Sequence, residues 1–293
     1  MDHSALPTDP LWPRAGNWPA PSGHSDFALI GVPTWRTSIS ATNAGHTPDA
    51  VRAMIPRYSQ FSHSGGRELT FADHGDVLDP DLDERGAVAA VAAVDAELLV
   101  ALGGDNAATV PTALGRWGDR LATAGLVTVD AHYDLRDGVS NGSPVRRLIE
   151  AGLDGRRVVQ VGISDFANSG EYAARARDLG ITVVLRDELL GRPIADVMAE
   201  AFEIAGSAGG PIHVDLDVDV CDRSVAPACP ASVPGGIAAH ELRAAARAAG
   251  RHGQVESIDL VEVDASADTP DARTIRLVAL CVLEAAAGLA QRP

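Results

Sequence analysis

The chain has 293 residues, 46% of them apolar, enough for one large α/β domain with a substantial core. Its formal net charge of −16 argues against nucleic acid or an anionic membrane surface as a partner. It contains no lysine, which excludes Schiff-base catalysis, pyridoxal-phosphate attachment and a P-loop lysine; GxGxxG is absent too.

Residues 1–25 are rich in Pro, Trp and Ser and read as an irregular arm over the surface or over a neighbouring subunit. Residues 27–32 form a first strand. The polar loop 33–48 is long enough to serve as an active-site wall. A helix starts at Pro48, with Thr47 as its N-cap. A short polar strand follows at 71–77, then an Ala/Val-rich helix at 87–97. Residues 98–102 make a strand that breaks at Gly103-Gly104-Asp105-Asn106, and the next helix starts near Ala107, capped by Asp105 or Asn106.

Residues 124–129 are continuously apolar and read as a buried parallel strand. Helices are expected at 144–151, 171–179, 193–205, 240–249 and 274–290. Strands are expected at 158–163, 181–185 and 255–263, and residues 213–222 read as a further β-like run. The alternation predicts a parallel sheet covered on both faces. With no repeat or linker, residues 1–293 read as a single domain. No apolar run spans a membrane, and the N-terminus lacks signal-peptide features. Cys221, Cys229 and Cys281 form no CxxC pattern, which points to a reducing cytoplasm.

Two acidic clusters stand out. Asp130-Ala131-His132-Tyr133-Asp134 follows the strand 124–129, at the sheet end where ligands bind in open α/β folds. Two carboxylates and an imidazole in five residues suit a hard divalent cation. The second run, residues 213–222, carries four aspartates. Asp215, Asp217 and Asp219 alternate along an extended chain, so they crowd one face and repel each other without a cation.

Four motifs occur together in one order: GGDN at 103–106, DAHYD at 130–134, DVDVCD at 217–222 and VEVD at 261–264. With the GVP…TPDAVR segment of residues 31–52, this combination resembles the ureohydrolase family, which includes arginase, agmatinase and formiminoglutamase. The resemblance spans nearly the whole chain. It implies a three-layer α/β/α fold around a mainly parallel sheet, of the arginase/deacetylase type. It implies two manganese ions bridged by a hydroxide, and a homo-oligomer such as a trimer or hexamer.

Carried over residue by residue, the resemblance makes Asp130 and Asp217 bridging ligands. Asp134 completes one metal position; His132 and Asp219 complete the other. Asp215 falls outside the ligand set, and Asp222 orders a turn. Glu262 takes the place of the family's Glu that pairs with an amidinium or guanidinium group. Asn106 replaces a metal-binding histidine, so one ion should be held less firmly. Asn141 replaces the histidine of a His-Gly pair and cannot relay a proton. That task passes to Asp134, to metal-bound water or to a further residue such as His46.

Arg136 follows Asp134 by two and suits a substrate carboxylate, with Asn141, Ser143 and Arg146 as further substrate-binding residues. The favoured reaction is hydrolysis of N-formimidoyl-L-glutamate to L-glutamate and formamide, in histidine degradation. Agmatinase, or another guanidino-acid hydrolase releasing urea, is the alternative enzyme. A non-catalytic metal- or ligand-binding relative is the alternative outside enzymology.

Overall fold

The structure, a computed structural model, describes Leu6 and residues 8–293. In chain order the strands are β1 Ser25–Val32, β2 Phe71–Asp76, β3 Ala96–Gly103, β4 Gly125–Val129, β5 Val158–Ile163, β6 Thr182–Leu185, β7 Ile212–Asp217 and β8 Val255–Val261. The helices are α1 Thr47–Met54, α2 Glu84–Ala92, α3 Thr109–Trp117, α4 Pro144–Ala151, α5 Gly170–Asp178, α6 Ile194–Ala205, α7 Ala239–Arg251 and α8 Arg273–Leu289. All eight strands join one parallel sheet in the order β2-β1-β3-β8-β7-β4-β5-β6.

Alternating side chains put opposite strand faces into different cores. Leu98, Val100 and Leu102 of β3 pack with α1, α6, α7 and α8 on one side. Leu99 and Ala101 turn to α2 on the other, while Leu126 and Val158 meet α3, α4 and α5. This is the three-layer arrangement. Each fully buried Leu, Val or Ile contributes about 1.5–3 kcal/mol by leaving water.

The inner strands β3, β8, β7 and β4 are consecutive neighbours, so their C-terminal ends converge. Glycine permits the convergence at one point. A Cβ on Gly104 would lie 2.0 Å from the Thr34 carbonyl oxygen, so the end of β3 and the first loop touch backbone to backbone.

Three local expectations are corrected. The second helix ends at Ala92, because Val94, Ala96 and Leu98 already alternate inward as the approach to β3. Thr47 is not a cap but the first residue of α1; its hydroxyl donates to the Val263 carbonyl at 2.5 Å. The acidic run does not continue as a strand past Asp217. There the Asp217 carboxylate accepts from the Asp219 amide at 2.8 Å and starts a one-turn 3-10 helix, Val218–Val220.

Residues 1–5 and 7 of the expected N-terminal arm lie outside the described residues. Its later part packs on the chain's own body: the Ala15 amide bonds to the Tyr58 carbonyl, and the Trp18 ring lies 5.3 Å from Phe71. Among the described residues no helix is long and apolar enough to cross a membrane.

Candidate active site

The two acidic motifs meet at the C-terminal end of the sheet. Asp130, Asp134, Asp217 and Asp219 are buried, and His132 is half-buried beside them. Asp130 leaves β4 with its carboxylate accepting from the His132 amide at 2.7 Å. Asn168, from the loop after β5, braces the same turn. Its side chain accepts from the Tyr133 amide and donates to the Ala131 carbonyl. Nothing in the sequence singled out Asn168, whose role depends on β5 lying beside β4.

One oxygen or nitrogen each from Asp130, His132 and Asp219 fall within 4.8 Å of one another, as do oxygens of Asp130, Asp134 and Asp215. Asp130 Oδ2 and Asp219 Oδ1 are buried without a hydrogen-bond partner. Orphaned carboxylate oxygens so close together are costly unless a cation neutralises them. The donor set, oxygen-rich with one imidazole, fits hard divalent cations.

Without cations, protons take their place. The charge of Asp219 pushes His132 up to about 12, with its Nδ1 3.1 Å from Asp219 and 3.4 Å from Asp130. Burial, reinforced by Asp219, lifts Asp130 to about 6. Burial and neighbouring carboxylates also raise Asp134 and Asp217 well above the usual range.

Asn106 opens the 3-10 turn after β3 and faces the cluster. Its side-chain nitrogen donates to Asp134 at 2.5 Å and to Asp217 at 3.1 Å, while its oxygen accepts from Thr109 at 2.6 Å. Its backbone amide donates to Glu262 Oε1 at 3.0 Å.

Glu262 follows β8. Its Oε1 also accepts from Asn141 Nδ2 at 2.5 Å, and no described residue donates to Oε2. Burial, then repulsion from Asp105 and Asp219, raises its carboxyl to about 8. Asn141 Oδ1 accepts from the Ile39 amide, so one side chain joins the first loop, the 140–144 turn and Glu262.

His132, Asp134, Asn141, Asp217, Asp219 and Glu262 line a cavity of about 480 Å³, shared with Ser40, Arg136, Phe166 and Tyr172. Asp134, Phe166 and Glu262 are non-glycine residues at φ 52°, 64° and 62°, a left-handed conformation that collects at functional sites. Arg136 is exposed at the cavity, and its guanidinium makes no hydrogen bond or ion pair with any described residue.

Ser143 and Arg146 do not line the cavity. Ser143 donates to the Ser140 carbonyl, and Arg146 donates to the carbonyls of Arg136 and Gly138 and pairs with Glu150. They hold the loop that presents Arg136. His46 lines a separate hollow with Trp35 and Asp81. Asp222 orders its turn, accepting from Ser224 and Gly235 amides.

The first loop is a wall of this cavity, fastened along its length. Asp81 accepts from the Trp35 amide, Asp105 from the Ser38 hydroxyl, Asn141 from Ile39 and Asp264 from the Asn43 amide.

Residues 25–288 match the sequence model of the Arginase family. The chain belongs to that family. It is 32% identical over 258 residues to a formimidoylglutamase of Halalkalibacterium halodurans, covering 83% of this chain and 81% of that one. The crystal structure of formimidoylglutamase from Bacillus subtilis matches with a TM-score of 0.91 at 27% identity, over 100% of this chain and 97% of that one. Trypanosoma cruzi formiminoglutamase with Mn2+2 shares the fold at a TM-score of 0.82 and 23% identity, over 92% and 95%.

Proposed function

We propose that this chain hydrolyses N-formimidoyl-L-glutamate to L-glutamate and formamide in the cytoplasm, with two manganese ions bound. The carrying observation is the pair of recognition groups in one cavity: the uncommitted guanidinium of Arg136 and the open Oε2 of Glu262. A substrate with carboxylates and an amidine engages both, whereas agmatine offers nothing to Arg136. The similarity to formimidoylglutamases supports the same choice. Three buried, unpaired cysteines suit a reducing compartment.

In this reading Asp130 and Asp217 would be shared by the two ions, Asp134 would help hold one, and His132 with Asp219 would help hold the other. Asn106 is the weakest member of the set. Bound cations would acidify a water enough to supply a nucleophile near neutral pH.

The remaining work falls to the chain. Glu262 Oε2 accepts an amidinium N–H and fixes the reacting carbon, while Asn106 and Asn141 hold Oε1. Both the nearby cations and the bound amidinium favour the ionised form of Glu262. Arg136 orients the glutamate end. The water's oxygen bonds to the amidine carbon, and the bond from that carbon to the glutamate nitrogen breaks. Asp134 takes one of the water's protons and returns it to the departing nitrogen; the second leaves the oxygen as the formamide carbonyl forms and is taken up by the glutamate amine, which departs as an ammonium.

The test is a panel of amidines and guanidines with manganese-loaded protein, following formamide, glutamate and urea. Arg136→Ala should raise KM for formimidoylglutamate about 10–100-fold, the size of a lost charged hydrogen-bond pair. KM for agmatine should barely move. Equal effects on both, or urea as the main product, would count against this substrate.

A further inference from the structure

Asp215 is a buried carboxylate that the proposed reaction leaves unused. It sits in β7 two residues before Asp217, so both side chains project from the same face, Asp215 one step deeper. It is completely buried, no amide, hydroxyl or cationic group among the described residues donates to either oxygen, and the polar neighbour it does meet is the carboxyl of Asp259. Its partner in register on β8 is Asp259, another carboxylate, which is already engaged with His213 at 3.1 Å. No described side chain therefore supplies Asp215 with a positive charge.

An oxygen of Asp215 lies within 4.8 Å of oxygens of both Asp130 and Asp134. Carboxylate oxygens bind such ions at about 2.2 Å, so opposite ligands of one ion are separated by about twice that distance. Asp130 Oδ2 is likewise buried and unpartnered. Asn106 meets the same cluster with an N–H group. Its nitrogen points at Asp134 and Asp217, and Thr109 occupies its oxygen.

We infer that Asp215 is a ligand to the metal position walled by Asp130 and Asp134, supplying the anionic donor that Asn106 does not. This rests on the binuclear reading above. The ligand class is a hard divalent cation, and manganese is the probe.

Manganese binding to the full chain is measured by calorimetry and metal analysis. The proteins are the wild type, Asp215→Asn, Asp215→Ser and the double variant Asn106→His/Asp215→Asn. The wild type should bind two ions. Each Asp215 variant should lose more than about a hundredfold in affinity at one position, beyond the cost of an outer contact, with the other position unmoved. The imidazole of the double variant should restore that position to within about tenfold. A merely supporting Asp215 would give a smaller loss and no rescue, which overturns the inference.

A crystal structure of the manganese-loaded wild type decides the matter even if the variants fail to fold. Asp215 at about 2.2 Å from one ion supports the inference; more than about 3 Å from both overturns it. If the wild type binds two ions and the variants match it, this inference fails alone. If the wild type binds none, the binuclear reading fails with it.

Discussion

Glu262 and Asp134 show how the site is held residue by residue. Each occupies left-handed backbone that costs a non-glycine residue roughly 1–2 kcal/mol. The surrounding bonds fix that strain in place, with Asn106 and Asn141 both donating to one oxygen of Glu262. Glu262→Gln keeps the shape and removes the charge. Its kcat/KM should fall about 100–1,000-fold while both metals stay bound, as kinetics and metal analysis would record. Asn141→Ala removes the link between the first loop and Glu262. It should lower kcat/KM about 10–100-fold with unchanged metal content. Metal loss in that variant would mean that Asn141 supports the ion cluster instead.

At the scale of elements, the strand ends do the positioning. β3 and the first loop meet at Gly104 with no space for a methyl group. Gly104→Ala should therefore destabilise the protein by about 1–3 kcal/mol in denaturant unfolding, as overpacking does. It should also weaken metal binding, because Asn106 lies two residues on.

This scale also marks how far the sequence can be read. The DAHYD turn was legible because an apolar strand runs straight into its acidic residues. The break after Asp217 was not. Strict alternation cannot reveal that a carboxylate will cap its own following turn. Arg146 looked like a second cation for substrate, yet backbone carbonyls of a nearby loop claim it. Asn168 carried no signal, since its partners on the DAHYD turn are more than thirty residues away in sequence.

For the whole molecule, the alternation of strands and helices was enough to predict a covered parallel sheet. The order that places β8 between β3 and β7 was not in the periodicity, because it depends on long crossovers. That order gathers several buried acids in one place and makes stability depend on pH. Asp130 at about 6 and Glu262 at about 8 hold protons in the folded chain that the unfolded chain has released, from ordinary values of 3.8 and 4.5. Their contribution is complete below about pH 4 and drains away as pH rises through 6 to 8. His132, pushed up to about 12, acts in the same direction. In chelator, the melting temperature should fall from pH 5 to pH 9. With saturating manganese the decline should flatten, because cations replace the lost protons. A flat profile in chelator would contradict the burial of these acids.

The wall formed by the first loop has one more consequence. Its amides and hydroxyls are tied to Asp81, Asp105, Asn141 and Asp264, so the chamber is already in shape before anything enters. A guest then meets a rigid vestibule and displaces solvent without waiting for a flap to fold. Rapid mixing with an unreactive mimic should give a single exponential whose rate rises in proportion to concentration, with no plateau.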